Sequence, residues 1–180
     1  MTALDERLRA VRLLVADVDG VLTNGDIAFD GEGRPFRTVN VRDVTAFTLW
    51  HLVGGQTALV SGLGSKALEA VASTWKCVEC RMWVKNKLRA CEEIAARHGL
   101  TMQEMAFIGD DIIDLRAMNA VGVGVAVADA AAEARAAAAL VTQAPGGKGA
   151  VRELLERILK VQGRYEEALE RYLAREDTPQ

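Results

Sequence analysis

Leu13–Leu14–Val15–Ala16–Asp17–Val18–Asp19–Gly20–Val21–Leu22–Thr23 runs four apolar residues straight into two acids and a glycine. The apolar run is too short to span a membrane and suits a buried strand. Residues i and i+2 of an extended chain face the same side, so Asp17 and Asp19 point in similar directions. Two carboxylates on the end of an apolar strand cost stability unless they have a function or a cation. Open α/β sheets bind ligands beyond the carboxyl ends of their strands, which is where these acids would stand.

The flanking sequence extends this pattern. Residues 1–10 read as a short amphipathic helix leading into the strand. Residues 24–40 alternate apolar and polar side chains around a Gly-rich turn and predict a β-hairpin flap. Its Ile27, Phe29, Phe36 and Val39 are too apolar to leave in water, so burial against another subunit is expected. A helical period over 43–53 stops at Gly54–Gly55. Strands are expected at 57–62, 76–80, 105–108, 122–127 and 140–142, and helices at 65–73, from Lys87 to Arg97, near 130–138 and at the end of the chain. Strands alternating with helices predict an α/β fold with a doubly wound, mostly parallel sheet. No linker divides the chain, so residues 1–180 read as one domain, with 163–180 as a C-terminal helical tail.

Four strand ends then carry chemistry: Asp17 with Asp19; Ser61 with Gly62; Lys87 on the next crossover; and Asp110 with Asp111 and Asp114. Singly, each has an ordinary explanation as a cap, a turn residue or a solvated charge. Together they form a site. Acids brought within about 4 Å repel by about 4 kcal/mol per pair at an effective dielectric of 20. A hard divalent cation relieves this, and an all-oxygen ligand set suits Mg2+. Mg2+ beside a carboxylate nucleophile suits phosphoryl transfer, with Ser61, the Gly62 amide and Lys87 gripping phosphate oxygens and Asp19 moving the proton.

The four segments resemble the haloacid dehalogenase superfamily of phosphatases. The motifs that carry the resemblance are Asp17–Thr23, Ser61, Lys87 and Gly109–Asp110–Asp111–Ile112–Ile113–Asp114. It implies a Rossmann-like core in which Asp17 is the nucleophile, Asp19 the acid/base, and Asp17, the Asp19 carbonyl and Asp110 the metal ligands. There is room for the hairpin and one helix before Ser61, but not for a cap domain. Asn40–Val41–Arg42–Asp43, Val125–Ala130 and Gly146–Glu153 look like the capless phosphatases of 3-deoxy-D-manno-octulosonate 8-phosphate. That narrower resemblance implies a homotetramer built on the hairpins. It also implies substrate contacts at Asn40, Arg42 and Asp43, and a glycine-rich segment with Lys148 and Arg152 folded over the site. Leu63 and Val71 stand where that family has substrate-binding arginine, and Val44 where it has glycine. A nonulosonate 9-phosphate or another small phosphorylated sugar therefore remains an alternative substrate. A structural or regulatory subunit without turnover is the alternative of another class.

The 180 residues are 50% hydrophobic and 26% charged, with net charge −3. That balance argues against nucleic acid, which wants a basic face. Neither a signal peptide nor a membrane span is read, so a cytoplasmic protein is expected. Cys77 and Cys80 have redox or zinc spacing, but Cys91 and His98 complete no recognisable set, so the thiols read as buried structural residues. His51 and His98 read as helix-face residues. Tyr165, Leu169, Tyr172 and Leu173, among charges from Arg164 to Glu176, predict an amphipathic helix packed on its own assembly.

Overall fold

The computed structural model describes residues 2–64 and 66–175, with the side chains of residues 66 and 67 excepted. The expected helix start at Ser65 and the end of the tail, Glu176 included, lie outside the described residues.

The chain runs α1 (Ala3–Ala10), β1 (Leu13–Ala16), β2 (Ala28–Phe29), β3 (Pro35–Phe36), α2 (Val41–Leu52), β4 (Gln56–Val60), α3 (Lys66–Thr74), β5 (Glu79–Arg81) and α4 (Lys87–Arg97). It continues through β6 (Met105–Gly109), α5 (Leu115–Ala120), β7 (Val123–Ala126), α6 (Ala132–Ala137), β8 (Leu140–Val141), α7 (Ala150–Val161) and α8 (Tyr165–Leu173). Six strands form one parallel sheet in the order β5-β4-β1-β6-β7-β8. Helices α1, α2, α7 and α8 pack with one another, and α4, α5 and α6 form a second group.

The apolar runs explain this arrangement. Every residue of β1, β6 and β7 is buried, so these strands need cover on both faces and read as continuous hydrophobic segments. After β1 the chain builds β4 and β5 to one side, then crosses back to place β6 on the other. The order reverses beside β1, and such a reversal opens a crevice at the carboxyl ends of the strands. Val15 pairs with Ala58 on one side and Phe107 on the other, so the turns after β1, β4 and β6 emerge together.

The hairpin is shorter than its alternation predicts: two residues per strand, with Ala28 opposite Phe36 and Phe29 opposite Pro35. Phe29 and Phe36 remain 66% and 52% exposed, so nothing among the described residues buries the apolar faces. Helix α2 begins at Val41, earlier than its apolar period suggests, because Asn40 caps it by accepting from the Arg42 amide at 3.0 Å. The tail is a separate short helix, α8, packed on α2 and α7. Cys91 is buried on α4, while Cys77 and Cys80 are half-buried and unbonded to each other. Burial pushes the Cys77 and Cys91 thiols up to about 12 and Cys80 to about 11, which leaves them protonated and inert. No helix among the described residues is long and apolar enough to cross a membrane.

Candidate active site

Asp17 follows β1 directly, and its amide continues the sheet by donating to the Ile108 carbonyl at 3.0 Å. Its side chain is buried. Oδ1 accepts from the Val18 amide at 2.7 Å, and Oδ2 stands 2.6 Å from Lys87 Nζ. Lys87 opens α4 behind its cap Asn86, and this end of the helix carries the ammonium under the sheet edge. The same ammonium lies 2.5 Å from Asp114 Oδ1. Asp114 is fully buried, and its Oδ2 accepts from the amides of Asp110 and Asp111 at 3.0 and 3.2 Å. Its role is to hold the turn after β6 and to fix Lys87.

Asp110 is aimed at the turn after β1. Gly20 there has φ +83, and a Cβ would collide with Asp110 Oδ2. Glycine at that position thus satisfies both the left-handed backbone and the close approach. Thr23 shapes the same turn, its buried Oγ1 accepting from the Gly20 and Gly25 amides, each at 3.2 Å. The glycine-rich segment before α7 also meets it: Gly147 N donates to the Val21 carbonyl at 2.8 Å, and a Cβ at Gly146 would collide with the Gly20 carbonyl.

Ser61, fully buried after β4, donates to Asp19 Oδ2 at 3.2 Å and accepts from the Leu63 amide at 3.0 Å. The other Asp19 oxygen, Oδ1, is ion-paired with Arg37 Nε of the hairpin. Asp17, Asp19, Asp110, Gly62, Leu63 and Ile113 line one cavity of 210 Å³. Its rim is apolar. Leu63, Ile112 and Ile113 are exposed, and Trp83, at φ +60, lays its indole where a Cβ on Gly64 would meet Nε1 at 2.6 Å.

The electrostatics are one-sided. One ligand oxygen from each of Asp17, Asp110 and Asp114 can be chosen so that all lie within 4.8 Å of one another. Burial, with some help from Asp114, pushes the Asp17 carboxyl up to about 6 against the pull of Lys87. Burial and the Asp17 and Asp114 charges push Asp110 up to about 7. Lys87 is itself raised: burial acts to lower it, but the two carboxylates outweigh that. Three carboxylates against one ammonium leave two negative charges, the complement of one divalent cation. Both Asp114 oxygens are already engaged, and among the described residues no ion pair reaches Asp110. Both Asp17 oxygens are engaged as well, but Asp17 and Asp110 line the cavity and Asp114 does not, so the donors that face a hard cation there are Asp17 and Asp110, with room for carbonyl and water oxygens.

Not every expected contact gathers here. Asp43 is fully buried away from the cavity, contrary to expectation. Its Oδ1 accepts from the Arg152 amide at 2.7 Å, and the Gly149 and Val151 amides also bear on it, so it caps the amino end of α7. Burial raises its carboxyl despite those donors, and its Oδ2 has no hydrogen-bond partner among the described residues. Asn40 serves as the α2 cap, and its Nδ2 donates to the Gly147 carbonyl at 3.4 Å. Arg42, Lys148 and Arg152 line a separate cavity of 450 Å³, with Glu153 and Glu156 beside them. Within one chain, these residues do not reach the Asp17 cavity. Sequence reasoning missed Arg37. The available signal was a cation set between Phe36 and Val39 in an otherwise apolar hairpin, but nothing in the spacing says that it reaches Asp19.

Residues 57–154 match a family described as haloacid dehalogenase-like hydrolase. A 3-deoxy-D-manno-octulosonate 8-phosphate phosphatase of Salmonella typhi is 35% identical over 158 residues, which cover 88% of this chain and 84% of that protein. The crystal structure of the Moraxella catarrhalis phosphatase of the same name, in complex with magnesium, phosphate and KDO, superposes with TM-score 0.92 at 28% identity. It covers 96% of this chain and 99% of that one. The cobalt-bound Haemophilus influenzae deoxy-D-mannose-octulosonate 8-phosphate phosphatase superposes with TM-score 0.87 at 32% identity, covering 93% of this chain and 99% of that one.

Proposed function

The chain belongs to the haloacid dehalogenase-like hydrolases, and from that premise we propose that it is a Mg2+-dependent phosphatase of 3-deoxy-D-manno-octulosonate 8-phosphate. The observation that carries the chemistry is the buried Asp17–Lys87–Asp114 chain beside Asp110, with two negative charges uncompensated. The relatives that match over most of their length support the substrate.

Asp17 and Asp110, with the Asp19 carbonyl, would hold the ion. When bound, Mg2+ neutralises phosphate oxygens that would otherwise repel a carboxylate nucleophile. Asp17 forms the new oxygen–phosphorus bond as the bond to the sugar oxygen breaks, giving an aspartyl-phosphate. Protonated Asp19 gives its proton to the departing sugar oxygen. As carboxylate, it then takes a proton from the water that attacks phosphorus and releases Asp17 and inorganic phosphate. Lys87 holds Asp17 in place and faces the incoming phosphate oxygens. The Gly62 amide, beside the Ser61 hydroxyl, stands at the next strand end to donate to the remaining ones. Asp111 and Asp114 support the turn that carries Asp110.

The protein works as a cytoplasmic homotetramer, with the hairpin as flap and subunit contact. The exposed Ile27, Phe29, Phe36 and Val39 support that assembly. In it, Arg42, Lys148 and Arg152 present a basic surface toward a neighbour's cavity.

Phosphate release from 3-deoxy-D-manno-octulosonate 8-phosphate and from a nonulosonate 9-phosphate, with Mg2+ and after chelation, tests the reading. Turnover of the first ester, lost on chelation and abolished in Asp17→Asn without loss of fold, is expected. Turnover of the second alone moves the substrate, and turnover of no ester leaves the non-catalytic subunit as the better account.

A further inference from the structure

Between residues 26 and 39 the chain is exposed except at Asp30 and Arg37. Asp30 is tied locally: its Oδ1 accepts from the Glu32 and Arg34 amides, each at 2.9 Å, and its Oδ2 pairs with Arg34. Arg37 is different. Its side chain is 14% exposed, and it makes the one ion pair among the described residues that joins the hairpin to the sheet. The partner is Asp19, itself 21% exposed. Ser61 holds the opposite oxygen of that carboxylate at 3.2 Å. Asp19 is thus fixed from two sides, by a hydroxyl of the sheet edge and by a guanidinium of the flap.

We propose that Arg37 is a positioning residue for Asp19, through which placement of the hairpin sets the posture of the group that moves the proton. The inference rests on the role given to Asp19 above. With Ser61 alone, the carboxylate is held at one oxygen and can turn about its side-chain bonds. A planar guanidinium donating through Nε to the other oxygen restrains that freedom, and a lysine in its place gives a point charge without the same fixed donor direction. Proton transfer in the transition state needs the donor within hydrogen-bond reach of the departing oxygen, so lost orientation appears as lost acid catalysis. The arginine also ties the chemistry to whatever packs on Phe29 and Phe36, because those residues and Arg37 share one hairpin.

The test compares two leaving groups. A sugar alkoxide leaves poorly without a proton, whereas p-nitrophenolate leaves without one. The reading is kcat/KM, which reports the step that phosphorylates Asp17. Arg37→Met should lower kcat/KM for 3-deoxy-D-manno-octulosonate 8-phosphate by roughly 10- to 100-fold, a fraction of what full acid–base catalysis supplies. For p-nitrophenyl phosphate it should fall less than about 3-fold, and Arg37→Lys should recover part of the loss. Equal losses on both esters mean a merely structural arginine and overturn the proposal, as does no loss on either. Asp19→Asn is the control that separates the two levels. If it discriminates between the esters and Arg37→Met does not, the positioning role falls alone. If Asp19→Asn itself treats both esters alike, the acid/base assignment falls and takes the positioning role with it. Circular dichroism of each variant checks the fold, and a folded Arg37→Lys variant keeps the comparison decisive should Arg37→Met misfold.

Discussion

Replacing Lys87 with methionine keeps most of the volume and stem of the side chain and removes its charge together with its N–H donors. The ammonium lies 2.6 Å from Asp17 Oδ2 and 2.5 Å from Asp114 Oδ1, and its side chain is 2% exposed. At an effective dielectric of 20, each contact is worth about 6 kcal/mol before desolvation. The buried lysine gives much of that back as lost hydration, so the gross figure overstates the net effect. Breaking a buried pair from one side costs about 3–5 kcal/mol, because the remaining carboxylates stay buried without a partner. A domain stable by roughly 5–15 kcal/mol survives such a loss in weakened form. At about 2–4 °C per kcal/mol for this size, the melting temperature of metal-free Lys87→Met should fall by roughly 6–20 °C. Calorimetric melting in chelator measures it. Mg2+ should then raise the variant's melting temperature more than the wild type's, because the cluster has lost its only cation. Adding Asp114→Asn should recover part of the loss, since the two residues couple directly. A melting temperature within about 2 °C of wild type in chelator would refute the view that Lys87 holds this cluster together.

Two further outcomes are expected. Asp17 and Asp110 sit at about 6 and about 7 in the folded protein, above the 3.8 of a free aspartate. A raised folded-state value contributes stability that is present below 3.8 and is lost as pH rises through 6 and 7. Metal-free protein should therefore lose stability across that window, while the Mg2+-induced rise in melting temperature grows as the ligands deprotonate. Melting curves from pH 5 to 8, with and without Mg2+, read both trends, and an increment independent of pH would argue against these two acids as the ligands. Asp43→Ala should cost about 1–3 kcal/mol by uncapping α7 while leaving kcat/KM within about 3-fold. Lost activity at unchanged melting temperature would return Asp43 to the substrate pocket.

Much of the frame was legible because apolar runs in a parallel sheet have few alternatives. Leu13–Ala16 and Met105–Gly109 are buried on both faces, and their sequence could not be placed elsewhere at tolerable cost. The acids after them were legible for the complementary reason, since carboxylates at the end of such strands need a partner or a cation. Helix α2 began earlier than its apolar period suggested because a cap, not periodicity, sets the start. Asp43 shows the same limit: a buried acid binds the amides of another helix as readily as it binds substrate, and its α7 partners lie more than a hundred residues away in sequence.

The run from Leu13 to Thr23 determined by itself that this chain ends a buried strand on a pair of acids. The sequence also placed Ser61, Lys87 and Asp110 at strand or helix ends, where a parallel sheet would gather them. What it could not determine is which charge meets which. Only the tertiary structure decided that Lys87 bridges Asp17 and Asp114, that Asp114 also holds two amides while no ion pair among the described residues reaches Asp110, and that Arg37 closes on Asp19. Backbone periodicity fixes where a side chain leaves the chain. Its partner depends on the path of segments tens of residues away, and that path is set by packing rather than by local sequence.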